Sequence, residues 1–500
     1  MPPRHRFDVR LFLAFLAFFA VFFSIETAVD IAIEARRAGV PLFEAWARCG
    51  RSALACGQAG ATLARAAYSA LSIFVAVFFL SIPFSANLYT PKVVTIFLSD
   101  RVNQAALALG ILASANTHFQ TTTSWAQFRP EIALVANTVL VATSWALILP
   151  YAIYAWRFLE PQVILGRLER RIERDLWRAA ARPGEHAEIA TRVEQTICDM
   201  GNVVIRAIER ADRDLTLDGV RSLARAYAFY LGVKPRLPEA WFAPEREWFA
   251  GLSREAFHLV ERERTWVGHL LLHQMWLAYA ACLSKMPDAA GAISAAALRA
   301  VSDAPRIGDS SVVALGMRFA NTFIREAIKR GDAVTVQTVL RLQRAMLRKI
   351  APGAPERIAE AATHLRYYHD YARGLAAHEA ADAVALALAR LVEFALESGA
   401  SPEAALEAFE RLEDPAQANV RALLKARALV ASCLAAAGRG AERLSARIAA
   451  VAAPEREAVR AALEAAPTRA AAGREAYGAE PGIEFVGEPR RSEMIALFAA

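Results

Sequence analysis

His269 and His273, in the run WVGHLLLHQMW, stand four residues apart, so a helix would carry both imidazoles on one face. Two histidines at that spacing can hold a metal ion. Zinc peptidases built on this spacing place a glutamate directly after the first histidine, whereas here the position is Leu270. No third ligand is evident, and a packed histidine pair is the favoured reading. Glu26 and Asp30 are also four apart. Within lipid they would mark a functional site, because ionisable groups there are costly. At the outer end of an apolar run they would only close a membrane span, and both lie beyond the run. Asn321, Arg325, Glu326 and Lys329 form a polar helix face in FANTFIREAIKRGD, which a salt-bridged, solvated surface would also explain. HLRYYHD, from His364 to Asp370, suits either a groove lining or an ordinary half-buried face. A phosphate loop ending in GK[ST] and a GxSxG elbow are both missing, and nothing fixes two carboxylates as an acid and a base. The sequence thus assigns no catalytic residue, no metal and no cofactor.

The elements that would position these residues fall into two classes. Of the 500 residues 55% are hydrophobic, too many for an ordinary soluble chain, and nearly all the long apolar runs precede Trp156. The pattern predicts an all-α protein with a transmembrane helix bundle over residues 1–160. A cytosolic helical bundle or short solenoid follows over 161–466, then a partly flexible tail over 467–500. Four spans are expected, over 11–33, 66–82, 102–120 and 132–156. The third is short and rich in Ala and Gly, which suits a central place among the helices. In the second part, apolar residues recur at three- and four-residue spacing between Gly and Pro punctuation. Helices are expected near 189–212, 217–231, 265–285, 310–330, 333–350, 356–376, 378–398, 402–412 and 416–437. No repeat period can be named from the sequence. The net charge of +7 is carried by arginine without a basic stripe interleaved with aromatics, which excludes a nucleic-acid partner. Of five cysteines, Cys198, Cys282 and Cys433 read as core thiols. Cys49 and Cys56 could pair only if they do not share one continuous helix.

Between the second and third apolar runs the chain breaks. Pro83 should stop one helix, Thr90-Pro91 should start another, and Asp100 should cap the third span. The arginine-dense run RFLEPQVILGRLERRIERDLWRAAAR follows the last span directly. By the excess of positive charge on the inner side, it places both termini in the cytosol.

The stretch NLYTPKVVTIFLSDRVNQ, from Asn87 to Gln104, resembles the signature of a bacterial family of multi-pass membrane proteins of unknown function. That signature has an aromatic residue, Ser or Thr, Pro and a basic residue, then a Phe-Leu-x-Asp-Arg corner and Gln. The matching positions are Tyr89, Thr90, Pro91, Lys92, Phe97, Leu98, Asp100, Arg101 and Gln104. MRFANTFIREAIKRGD, TVQTVLRLQRAMLRKI and PGIEFVG are similar to one subgroup. The resemblance implies about four spans, a long cytosolic part and a bacterial inner membrane. A Ser-Pro-Gly-x-Asn-Asp-Pro-like turn of many relatives is replaced by AIERADRDLTLDG, so its role is not carried over. The expected function is a membrane-anchored helical interaction or sensing module, with the lipid bilayer and a protein or a second copy as partners. The alternative is an oligomeric channel or transporter for ions or small solutes, lined by the third span and the broken segment. An enzyme acting on lipids would lack a nucleophile or metal set.

Overall fold

A computed structural model of the chain describes Val21, Ile25 and residues 28–33, 35–37, 39–42, 53–88, 97, 100–123, 131–158, 160–182, 184–302, 309–352, 354–412, 420–465 and 486–499. The protein is 86% helical and has no strand among the described residues, so the all-α expectation holds. It divides into two compact units, Met1–Ile164 and Leu165–Ala500. Glu26, Cys49, Tyr89, Thr90, Pro91, Lys92 and the run from Ile483 to Phe485 lie outside the described residues.

In the first unit, α1 (Ala53–Leu88), α2 (Arg101–Thr123) and α3 (Glu131–Phe158) pack on one another in all three pairings. Gly60 meets Thr121, while Gly110 meets Leu71 and Phe74, so α1 and α2 run antiparallel. Two of these helices hold segments long and apolar enough to cross a membrane, Gly60–Leu80 and Ile132–Phe158. The expected third span is a helix of 23 residues, but its composition is too polar to match them. Pro83 does not stop α1, which continues to Leu88. A proline removes one backbone donor and crowds the preceding turn, a local cost. Here the helix is held by burial of Ala67, Ala70, Phe74 and Phe78.

In the second unit, α4 (Pro161–Ala181) leads into helix pairs. These are α5 (His186–Glu209) with α6 (Arg213–Val233), then, after α7 (Arg254–Arg262), α8 (Trp266–Lys285) with α9 (Pro287–Val301). Next come α10 (Ser310–Arg330) with α11 (Ala333–Ile350), α12 (Glu356–Gly374) with α13 (His378–Glu397), and α14 (Glu403–Glu410) with α15 (Val420–Ala436). First helices touch first helices, in the order α5, α8, α10, α12, α14. Second helices touch second helices, in the order α6, α9, α11, α13, α15. This is the contact pattern of a solenoid, in which each pair leans on its neighbours. From α8 onward the first helices begin at residues 266, 310, 356 and 403, a structural period of 44 to 47 residues. Local signals set the boundaries. Asp212, Asp309 and Asp332 accept N-terminal amides as caps, and Gly331 ends α10 in the left-handed conformation at φ +68°. Three 3-10 turns between α6 and α7 carry Trp241 and Trp248 onto Trp266, at 5.2 and 5.3 Å between ring centres.

Beyond α15, α16 (Glu442–Ala449), α17 (Ala453–Ala465) and α18 (Arg490–Ala499) cover its far side. Within the stretch expected to be partly flexible, the last helix is docked. Met494 and Phe498 are buried, and the Arg490 guanidinium donates to the Ser432 carbonyl at 3.0 Å. Cys282 and Cys433 are buried thiols and Cys198 is half-buried, and none of the three is in a disulfide.

Within the stack, a Cβ on Gly316 would stand 2.2 Å from Cγ1 of Val301, a short, stiff side chain of the facing helix α9. Gly316→Ala should therefore destabilise the purified protein by about 1–3 kcal/mol in chemical denaturation. Removing the obstructing methyls in Gly316→Ala/Val301→Ala should recover part of the loss. Additive losses in the double variant would show that the two helices do not meet there.

Candidate functional site

The signature corner in the first unit is built by short-range hydrogen bonds. Asp100 accepts from the amides of Val102 and Asn103, at 3.0 and 3.4 Å, and so caps α2 as its position predicted. Its Oδ1 also accepts from the Tyr154 hydroxyl at 2.7 Å, tying the start of α2 to the end of α3. Asn103 donates to the carbonyl of Phe97 at 2.8 Å. Phe97 is fully buried between Phe78 and Phe158, with ring centres 5.4 and 5.3 Å away. Arg101 and Gln104 point outward. The described part of the signature thus splits into a cap and an aromatic plug facing inward, and two polar side chains facing out.

Several polar side chains further along α2 turn inward. Thr117 donates to Asn137 at 2.8 Å, Asn137 donates to Gln120 at 3.3 Å, and Gln120 donates to the carbonyl of Ala133. Ser114 donates to the carbonyl of Ala67 at 3.2 Å. Asn116 is fully buried with neither amide atom hydrogen-bonded. Asp30 closes this line. It is buried, and its carboxylate accepts the amides of Ile132 at 2.6 Å and Ala133 at 3.0 Å, the first free donors of α3. Neither sequence reading of Asp30 anticipated this role. It caps a helix about a hundred residues downstream. An anionic cap suits the positive end of a helix.

The second unit gathers the remaining candidates on the first helices of the stacked pairs. On α8, His269 and His273 stack with ring centres 6.2 Å apart and planes at 13°. Phe249 and Phe319 flank His269 at 5.6 and 5.4 Å, and Trp276 lies 5.2 Å from His273. No group of three or more His, Cys, Asp or Glu that could hold a metal occurs among the described residues. The next helix, α10, presents Arg318, Thr322, Arg325 and Lys329 toward solvent, with Arg318 paired to Glu263 at 3.2 Å and Lys329 to Glu326 at 2.9 Å. Asn321 leaves the polar face expected for it: it is buried and accepts from Gln343 at 3.3 Å. On α12, Tyr367 is 55% exposed and stacks on Tyr371, 6.0 Å away with planes at 10°. His369, from the same cluster, is buried instead. Three stretches separated in sequence are therefore neighbours in space. The face combines half-buried imidazoles, an indole, guanidinium groups and stacked phenols, side-chain types that are enriched at binding surfaces.

Burial is the main cause that holds His269 down at about pKa 4, with the neighbouring His273 and Arg318 acting in the same sense. Burial also lowers His273. Both rings are neutral at pH 7, so the face carries its positive charge on the arginines and lysine of α10. No family model, curated protein or solved structure matches the chain.

Two measurements check these assignments. With the folded pKa of His269 below the ordinary value near 6.5, the unfolded chain binds more protons between those two pH values. Stability should be full above about pH 6.5 and fall as pH drops toward 4, and His269→Gln should flatten that slope in unfolding midpoints taken across the range. In the first unit, Asp30→Ala leaves two buried amides without an acceptor and should cost about 1–3 kcal/mol. Asn116→Ala removes an amide that bonds to nothing and should be neutral or stabilising. Thermal unfolding in detergent compares the two, and equal losses would refute the distinction.

Proposed function

We propose that this chain is a membrane-anchored interaction module: a helical anchor in the bacterial inner membrane that carries a stack of helix pairs in the cytosol. In this reading the anchor has about four spans, with α2 as an inner helix, and both termini lie in the cytosol. The observation that carries the function is the stack itself. Helix-pair stacks present extended faces made by one helix from each repeat, a geometry suited to binding a partner segment. Here the face of α8, α10 and α12 bears the aromatic and arginine side chains that dominate binding energy at interfaces. The anchor is supported by the two long apolar segments of α1 and α3 and by the arginine-rich helix that follows α3. The resemblance of Asn87 to Gln104 to a family of multi-pass membrane proteins belongs to the same proposal.

The polar residues of the first unit favour this reading over transport. Thr117, Gln120 and Asn137 are buried and bonded across α2 and α3, as residues that glue helices together in lipid are. Asn103 and Asn116 are buried as well, which supports a packed anchor over a polar path, although Gln104 and His118 are exposed.

Photo-crosslinking from an unnatural amino acid at Tyr367 or His273 in cells tests the proposal. A discrete adduct should form from those positions and vanish in Arg325→Glu, whereas Arg443, on α16, should give none. Adducts of equal yield from all three positions would remove the assigned face. Release of the full chain from membranes by alkaline carbonate would remove the anchor.

A further inference from the structure

The strongest feature left without a role is the charge at the beginning of the second unit. The solvent face of α4 carries Arg170, Arg174 and Arg178 in a single stripe, with Trp177 46% exposed among them. Beside it α6 contributes Arg225, and the turn after α6 contributes Arg236, whose guanidinium carbon lies 5.3 Å from the Trp177 ring centre. Phe229 meets the same indole edge-on at 6.4 Å. Acid offsets only part of this charge, with Glu173 and Asp218 acting on Arg225 from nearby. Glu169 is taken by Arg225 through bonds of 2.7 and 2.8 Å, and Asp175 is buried and shared between Arg178 and Arg192 at 3.4 and 3.5 Å. Arg170 and Arg174 make no ion pair among the described residues. The face therefore consists of two uncompensated guanidinium groups, two partly compensated ones, and an indole held in place by Arg236 and Phe229.

Chain connectivity says what such a face would meet. α4 begins at Pro161, and the apolar segment of α3 ends at Phe158. If α3 spans the membrane, as in the proposed function, the first turn of α4 lies at the level of the head groups. Guanidinium groups bind phosphate oxygens through paired N–H bonds, and tryptophan is the aromatic that favours the membrane–water boundary. We propose that the face formed by α4 and the end of α6 docks on anionic phospholipid head groups. The interaction would fix the height and tilt of the stack above the membrane, a role separate from the partner face on α8, α10 and α12. It rests on the membrane-anchored reading.

The test uses the full chain in lipid nanodiscs that carry a nitroxide-labelled head group. The contribution of Trp177 to fluorescence is taken as the difference between the wild type and Trp177→Phe. The discs contain phosphatidylcholine alone or with phosphatidylglycerol. Trp177 should be quenched in the anionic discs and regain its emission in phosphatidylcholine or at high salt. In Arg170→Gln/Arg174→Gln/Arg178→Gln the quenching should be lost even in anionic discs. A loss of roughly fivefold in surface affinity for each arginine, about a hundredfold for three, is enough for that. Arg443→Gln/Arg460→Gln, with the same nominal loss of charge per site elsewhere on the unit, should quench as the wild type does. Equal quenching in both lipids, or quenching that survives the triple variant, overturns the proposal. So does an unquenched Trp177 in both lipids, the outcome expected if an acidic protein segment were the true occupant. Failure of the chain to enter discs at all would instead remove the anchor, so the two failures are told apart.

Discussion

The second unit depends on a helix that protein encloses on all but one stripe. α8 packs against α5, α6, α7, α9 and α10, and its apolar residues run nearly all the way round its axis. A helix of that kind is stable only when enclosed, so its neighbours are obliged to come together on it. Two of its polar groups are tied to neighbouring backbone. The Tyr279 hydroxyl donates to the carbonyl of Phe323 at 3.1 Å, and the Trp266 indole donates to the carbonyl of Trp241 at 2.8 Å. The histidines occupy the one stripe that neighbouring helices leave half covered, which is why a pair of imidazoles can sit beside the core and still face outward. A second tie, between the buried ammonium of Lys234 and Asp309 at 2.5 Å, joins the end of α6 to the cap of α10. Burial of the ammonium makes the pairing necessary, because alone it would be an uncompensated charge.

The first unit solves a different problem with the same rule. Its described helices bury amides, hydroxyls and a carboxylate, and several of them bond to another helix. Polar side chains bonded between apolar helices fix which helices pair and in what register, whereas apolar packing alone leaves that choice loose. The bond from Asp30 to the start of α3 and the bond from Tyr154 to Asp100 fasten opposite ends of α3, to different parts of the chain. Together they hold α3 along its length.

Much of this was legible in the residues. The helix starts at Asp212, Asp309 and Asp332 and the stop at Gly331 are local chemistry, and the periodic apolar stripes of α5, α6 and α10 to α13 located those helices closely. The cap role of Asp100 was visible for the same reason. What escaped was either non-local or weakly patterned. α9 is made largely of alanine, with an apolar stripe too faint to stand out from its surroundings. The structural period was hidden because the pairs share a geometry without sharing residues, and because the tryptophan-bearing turns and α7 interrupt the order between the first two pairs. Asp30 gave no local sign of its role, since its partners lie at the start of α3. Pro83 misled in the opposite sense: its intrinsic preference was read correctly, and tertiary packing overrode it. The face on α8, α10 and α12 was legible as three separate stretches, and only the stacking order makes them one surface.

The covering of α15 by α18 has a consequence in time. Arg490 lies 54 positions after Ala436, so the ribosome completes α15 well before the helix that shields it exists. At roughly 5–20 residues per second, that interval is about 3–11 s. During it the side of α15 later covered by Met494 and Phe498 is exposed, on a chain whose earlier pairs are already able to fold. The nascent protein thus passes through a state with a folded stack and one open apolar flank, the kind of surface that chaperones hold. Closure then comes from a short helix that carries its own arginine anchor, so the flank is sealed by one docking step rather than by rearrangement of the pairs beneath it.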